Sequence, residues 1–139
     1  MMLNANADAA PVLVRLTPVL ATVTDTAQWT CPQPCEGSML VSEARMSFGV
    51  HHSGTATVAL RGAVRNSDSA WLCGELRETI TNRRIFIEGK TWQGPIEQTV
   101  EVTGGGNYEI RVYSCFPNHQ PLPAFYGLNS YSITAVHPS

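Results

Sequence analysis

The sequence predicts an all-β protein: a single antiparallel β-sandwich, jelly-roll-like, of about 7–9 strands with little or no helix. Three observations carry this. Apolar and polar residues alternate with period two in one segment after another. Glycine, asparagine, serine and aspartate cluster between those segments, at intervals of roughly 8–15 residues. No window keeps a helical period beyond two turns, and the nearest, Leu72 to Thr81, is weakened by glycine and β-branched residues.

Taken in order, residues 1–11 are small and polar and end at Pro11, which predicts a flexible N-terminal arm before a single domain over 12–139. Val12–Leu16 and Val19–Val23 read as two strands parted by Pro18. Over 40–50, Leu40, Ala44, Met46, Phe48 and Val50 share one face, with Glu43, Arg45 and His51 opposite. Ala56, Val58 and Leu60 face inward from the next strand. Leu72, Leu76 and Ile80 do so from Trp71–Ile80, followed by the short apolar run Ile85-Phe86-Ile87. Val100 and Val102, then Tyr108, Ile110 and Val112, then Tyr131, Ile133 and Ala135 complete the inward set. His52-Ser53-Gly54, Asn66-Ser67-Asp68, Thr81-Asn82-Arg83 and Gly104-Gly105-Gly106-Asn107 supply turns. The stretch 116–129 holds three prolines and three aromatics and reads as a long stiff loop, a place where function often sits.

Composition sets limits. The chain has 139 residues, 43% hydrophobic but only 14% charged, with a net charge of −2. A protein held to nucleic acid by phosphate contacts needs a basic excess, which is missing here, as it is for a polybasic membrane binder. The most apolar run, Val12–Val23, is interrupted by Arg15, Thr17, Pro18 and Thr22, so no membrane span is expected. The first ten residues lack Lys and Arg, so no signal peptide is expected either.

The cysteines are Cys31, Cys35, Cys73 and Cys115. An even number in a low-charge chain rich in Thr, Ser and Gly suits disulfides and an oxidising exterior. Cys31 and Cys35 flank Pro-Gln-Pro, a pre-bent loop that permits a local bridge and would leave Cys73 and Cys115 as a long-range staple. Free buried thiols and a four-cysteine zinc site are the alternatives. The zinc reading is the weaker, because only one pair has knuckle spacing.

In the last third, VEVTGGGNYEIRVYSC, a loop and NSYSITAV follow one another. This order resembles the C-terminal part of bacterial pre-peptidase-type β-sandwich domains, in which a Gly-x-Tyr-x-aliphatic-x-Val strand precedes a Tyr-Thr-Leu-type closing strand. Gly106, Tyr108, Ile110 and Val112 match the first element, and Tyr131, Ile133 and Ala135 the second. The resemblance covers about 40 residues, those of the hairpin and the closing strand. It implies a sandwich fold and a secreted, non-catalytic appendage of a hydrolase, of a kind that sometimes binds sugar or matrix.

Catalytic constellations are missing from the sequence. There is no G-x-S-x-G, H-E-x-x-H or P-loop. Glu75 with Glu78, or Glu97 with Glu101, could serve glycosidase chemistry in principle but read better as surface charge. His51 and His52 point to opposite faces of a strand end, and His119 and His137 have no carboxylate close in sequence. The aromatics Trp29, Trp71, Trp92, Phe125 and Tyr126 fall at strand edges or in loops, where rings serve as stacking platforms or interface anchors. Trp92, Phe125 and Tyr126 are the contact candidates. No cofactor is expected. The reading that follows is a non-catalytic structural or assembly protein, a virion component such as a capsid decoration or tail protein, acting through protein neighbours or a homo-oligomer. The alternative is a secreted or cell-surface module whose partner is a glycan.

Overall fold

A computed structural model describes residues 21–64, 71–91, 96–118, 120–123 and 126–139, with 88–91 as backbone only. Among these, eight strands form in chain order: β1 Thr22–Thr30, β2 Glu43–Gly49, β3 Gly54–Val64, β4 Trp71–Glu78, β5 Arg84–Thr91, β6 Ile96–Val102, β7 Asn107–Cys115 and β8 Leu128–Pro138. The only described helix is a single 3-10 turn at Gly37–Met39. The strands make two four-stranded antiparallel sheets, in the orders β1-β8-β3-β6 and β2-β7-β4-β5. Successive strands switch from one sheet to the other at each step, except that β4 and β5 are neighbours in one sheet, which is the double Greek-key order of a jelly roll.

The inner faces follow from period two. Ala56, Val58 and Leu60 of β3, Val100 and Val102 of β6, and Ile133 and Ala135 of β8 come from one sheet. Ala44 and Phe48 of β2, Leu72 and Leu76 of β4, Ile87 of β5 and Tyr108, Ile110 and Val112 of β7 meet them from the other. Gly74, on the inner face of β4, marks the tightest approach between the layers. A Cβ there would lie 2.2 Å from Leu60 Cδ1 and 3.2 Å from Ile87 Cβ, so only a residue without a side chain lets the sheets close.

One expectation needs correction. Ile80 does not continue the inward face of β4. The strand stops at Glu78, and Ile80 stands 75% exposed in the turn. The rest of that segment is a strand as expected: Trp71–Glu78 forms the interior strand β4, whose partners on both sides satisfy its backbone. The strands expected over 12–20 and the arm over 1–11 lie outside the described residues. Of the segment Val19–Val23, the described part leads into β1, which runs on to Thr30.

Both disulfides form, Cys31–Cys35 and Cys73–Cys115, so the cysteines are neither free thiols nor zinc ligands. The first closes the Pro-Gln-Pro loop, with Gln33–Pro34 cis. Cys31 N–H donates to Asn129 O and so ties that loop to β8. The second joins adjacent strands β4 and β7 on the side of their sheet away from the main core, where Tyr113 and Trp71 pack on it.

Candidate functional site

Three surfaces of the sandwich carry chemistry, and they differ in how far their polar groups are already engaged. The outer face of the β2-β7-β4-β5 sheet holds three carboxylates and four guanidinium groups in one network. Glu43 accepts from Arg111 Nε at 2.8 Å and from Arg45, and Arg45 also reaches Glu109 at 2.9 Å. Arg77 joins Glu109 at 3.1 Å, and Glu75 sits between Arg84 at 3.3 Å and Arg111 at 3.5 Å. The Arg111 guanidinium also lies 4.3 Å above the Tyr113 ring. Burial alone would push the Glu43 carboxyl up, but hydrogen bonds and charge from Arg111 and Arg45 hold it below the usual range. The bond from Glu43 raises Arg45, and burial raises Tyr113. Each charge here has a partner, so the network braces the sheet and offers a ligand little.

At one end of the sandwich, the turn after β4 meets the Gly104-Gly105-Gly106 turn between β6 and β7. Together they border a cavity of about 360 Å³. Glu78 anchors it. One carboxylate oxygen accepts from Ile80 N–H, Thr81 N–H (2.6 Å) and the Thr81 hydroxyl (2.7 Å), and the other from Asn107 N–H. The Thr81 bonds do most to lower the Glu78 pKa, to about 2. Tyr108 closes the far wall, its hydroxyl accepting from Thr103 N–H at 2.8 Å. Gly105, at φ +85°, occupies the left-handed region the turn requires. The glycine run is therefore a turn that carries the chain from one sheet to the other, not the tip of a β-hairpin, since β6 and β7 lie in different sheets. Tyr108 and, through Asn107, Glu78 hold it, and a strand rather than a phosphate-cradling helix follows.

The third surface is the outer face of the β1-β8-β3-β6 sheet. Register sets its side chains in rows across the strands. Thr24, Val136, Thr57 and Thr99 form one; Thr26, Thr134, Ala59 and Glu97 the next; then come Gln28, Ser132 and Arg61, and Thr30, Ser130 and Ala63. Neighbours in a row lie about 4.8 Å apart and successive rows about 6.8 Å apart. Short hydroxyl side chains keep this face low. Between its last two rows runs a groove of about 480 Å³. The backbone of Trp29, Tyr131 and Gly62 forms its floor, because these three project to the core side. Gln28, Arg61 and Ser132 wall one side, Thr30 and Ser130 the other. Beneath the floor, the Trp29 and Tyr131 rings pack 6.0 Å apart at a 31° tilt and brace it. A Cβ at Gly62 would approach Leu72 Cδ1 at 3.0 Å, which places that residue against the core.

The predicted site residues distribute unevenly. Trp92 and Phe125 lie outside the described residues, as does His119. Tyr126 is half-buried against the core, its N–H bonded to Pro123 O, so it serves packing as well as any contact. Trp29 does reach a candidate site, from underneath. Glu75 and Glu78 are both engaged, and Glu97 and Glu101, four residues apart on β6, stand about 13 Å from one another along the strand. That is wider than either glycosidase arrangement. His51 and His52 are exposed, and their N–H groups donate to Ser139 O.

The sequence places no carboxylate close to His137. The fold supplies one from 112 positions away: Asp25 Oδ2 lies 2.7 Å from Nε2, while Nδ1 is 2.7 Å from Pro138 O. The ring is 2% exposed and stacks on Phe48 at 4.4 Å. No signal in the sequence pairs Asp25 with His137, because β1 and β8 are neighbours only through topology.

No protein-family model matches the chain, and a comparison with curated proteins finds no relative. Two solved structures are similar in fold. Crystals of the Yersinia pseudotuberculosis-derived mitogen show a chain that aligns over 86% of this one and 87% of its own length, at TM-score 0.45 and 14% identity. CBM35 from Cellvibrio japonicus Abf62, a carbohydrate-binding module, aligns over 70% of each chain at TM-score 0.42 and 14% identity.

Proposed function

We propose that this protein is a non-catalytic glycan-binding jelly roll that works in an oxidising exterior and takes its ligand on the outer face of the β1-β8-β3-β6 sheet. The observation that carries this reading is the groove walled by Gln28, Arg61, Ser132, Thr30 and Ser130. Hydroxyl, amide and guanidinium groups both donate and accept there, matching the dense hydroxyls of a sugar. The groove is open and shallow, which suits a chain of sugar units laid along the face. It lacks the desolvated aromatic or aliphatic anchor around which protein interfaces are built. Its single cation is too little for a nucleic-acid backbone. Two disulfides support an extracellular setting.

Binding to an array of neutral and acidic oligosaccharides, followed by calorimetry, tests the reading. Gln28→Ala with Ser132→Ala should weaken binding at least tenfold while leaving the melting temperature within about 2 °C, since exposed polar positions contribute little to stability. An array without a signal, repeated with the protein displayed multivalently, would sink it.

A second reading has its own support. Ile80 is 75% and Phe86 54% exposed, both on the β4–β5 hairpin, and exposed large apolar side chains on one element favour protein contact. They support an assembly role, such as a virion component in which this hairpin abuts a neighbour. Light scattering at micromolar to millimolar concentration tests it: a monomer throughout would count against a homo-oligomer, and failure to decorate an assembled particle against a capsid role.

A further inference from the structure

We infer that the groove selects acidic saccharides, with Arg61 as the counter-ion for an oxyanion on the sugar. The inference rests on the glycan reading above and specifies its ligand class. Four arginines, Arg45, Arg77, Arg84 and Arg111, are held in the network on the opposite sheet. Arg61 is exposed, and among the described residues it has no ion pair and no side-chain hydrogen bond. It projects from β3, an interior strand, in the same row as Ser132 and Gln28.

The nearest described carboxylate on that face is Glu97. It stands opposite Ala59, hence diagonal to Arg61 at a backbone distance of about 7–8 Å, and the two make no ion pair. The guanidinium is thus left facing the groove with its planar fork of donors unused. That fork binds a carboxylate or sulfate through two parallel bonds, with a directionality that a sugar hydroxyl cannot match. Around it the walls are neutral: Ser132 and Gln28 in its row, Thr30 and Ser130 in the next. A ligand that placed its charge on Arg61 would therefore meet hydroxyl and amide partners along the next sugar units. Two rows at about 6.8 Å and three strands at about 4.8 Å span two to three such units.

The test is calorimetry on the intact protein with three probes of equal length: an oligogalacturonate, its fully methyl-esterified form and a sulfated neutral oligosaccharide. The inference expects at least one acidic probe to bind tenfold or more tighter than the neutral ester, with the preference shrinking as salt rises from 50 to 300 mM. The carboxylate and sulfate arms identify which oxyanion is preferred. Arg61→Ala should erase the preference yet keep residual binding of the ester; Arg61→Glu should reverse it; Arg61→Lys should retain part. Arg83→Ala, at the opposite end of the molecule, should change nothing. Equal affinity for all three probes would overturn the acidic selectivity and leave glycan binding standing, whereas no binding of any probe would overturn both. Loss of preference in Arg83→Ala equal to that in Arg61→Ala would also overturn it, by showing a diffuse charge effect.

Discussion

Removing the two disulfides separately should have unequal consequences, and the difference can be worked from loop length. The Cys73–Cys115 bridge spans 42 residues and Cys31–Cys35 only four. Cross-linking a 42-residue loop takes about 13 cal/mol/K from the denatured chain, or about 4 kcal/mol at 25 °C. The same relation gives about 2 kcal/mol for the four-residue loop. Burial widens the gap. Cys73 and Cys115 are fully enclosed with Tyr113 against them, whereas Cys35 is partly exposed, so replacing the former pair by alanine also leaves a small cavity. The paired variant Cys73→Ala with Cys115→Ala should therefore lose about 4 kcal/mol or somewhat more in urea unfolding, a fall in Tm of roughly 12 °C for a domain of this size. Cys31→Ala with Cys35→Ala should lose about half that. A larger urea m-value in the first variant would mark the expanded denatured state. Equal losses, or a greater loss at Cys31–Cys35, would refute the loop argument and mean that the short bridge holds β1 and β8 together in the native state.

Further outcomes follow from the packing. The Glu78 carboxylate, depressed to about 2 from its ordinary value near 4.5, stabilises the fold fully above about pH 4.5, and that contribution is lost as pH falls toward 2. Glu78→Gln should flatten the Tm profile in that window, most clearly against wild type at pH 3. Glu43, also depressed, acts in the same direction, so its variant should flatten the profile too. Gly74→Ala drives a methyl group against Leu60 and Ile87 and should cost about 1–3 kcal/mol in chemical denaturation, while an alanine at Gly105, which meets no neighbour, should show only its backbone strain of about 1 kcal/mol. Asp25→Ala removes the carboxylate bonded to His137; amide exchange should speed in β1 and stay slow in β3.

Much of the fold is legible in the sequence wherever a strand has one fully buried face. Ala56-Val58-Leu60, Tyr108-Ile110-Val112 and Ile133-Ala135 alternate because water is on one side and the opposite sheet on the other. β1 escapes the same reading over Thr24–Thr30. It lies at the edge of its sheet among the described residues, so Asp25, Ala27 and Trp29 are only half-covered, and the sequence has no need of strongly apolar residues there. Ile80 misleads for the opposite reason: the alternation continues past the point where Glu78 bends the chain by binding its own turn. The candidate groove was the least legible. Gln28, Arg61 and Ser132 form one row only through the registers of β1 with β8 and β8 with β3, and alternation fixes faces without fixing neighbours. Of the aromatics singled out, only Trp29 among the described residues lies near it.

The pairing of β1 with β8 also bears on how the chain is made. Trp29 must wait for Tyr131, its partner in register, which is synthesised about 100 residues later, roughly 5–20 s at ribosomal speed. During that interval β1 has no sheet to join, and an unpaired strand is a template for misassembly. Its sequence, TVTDTAQWT, suits the wait: threonines alternate with mostly small or polar residues, and Asp25 sits near the middle as a charge that discourages stacking on another nascent copy. The hydroxyl-rich outer face of β1 thus also helps to keep the first described strand soluble until the last one emerges.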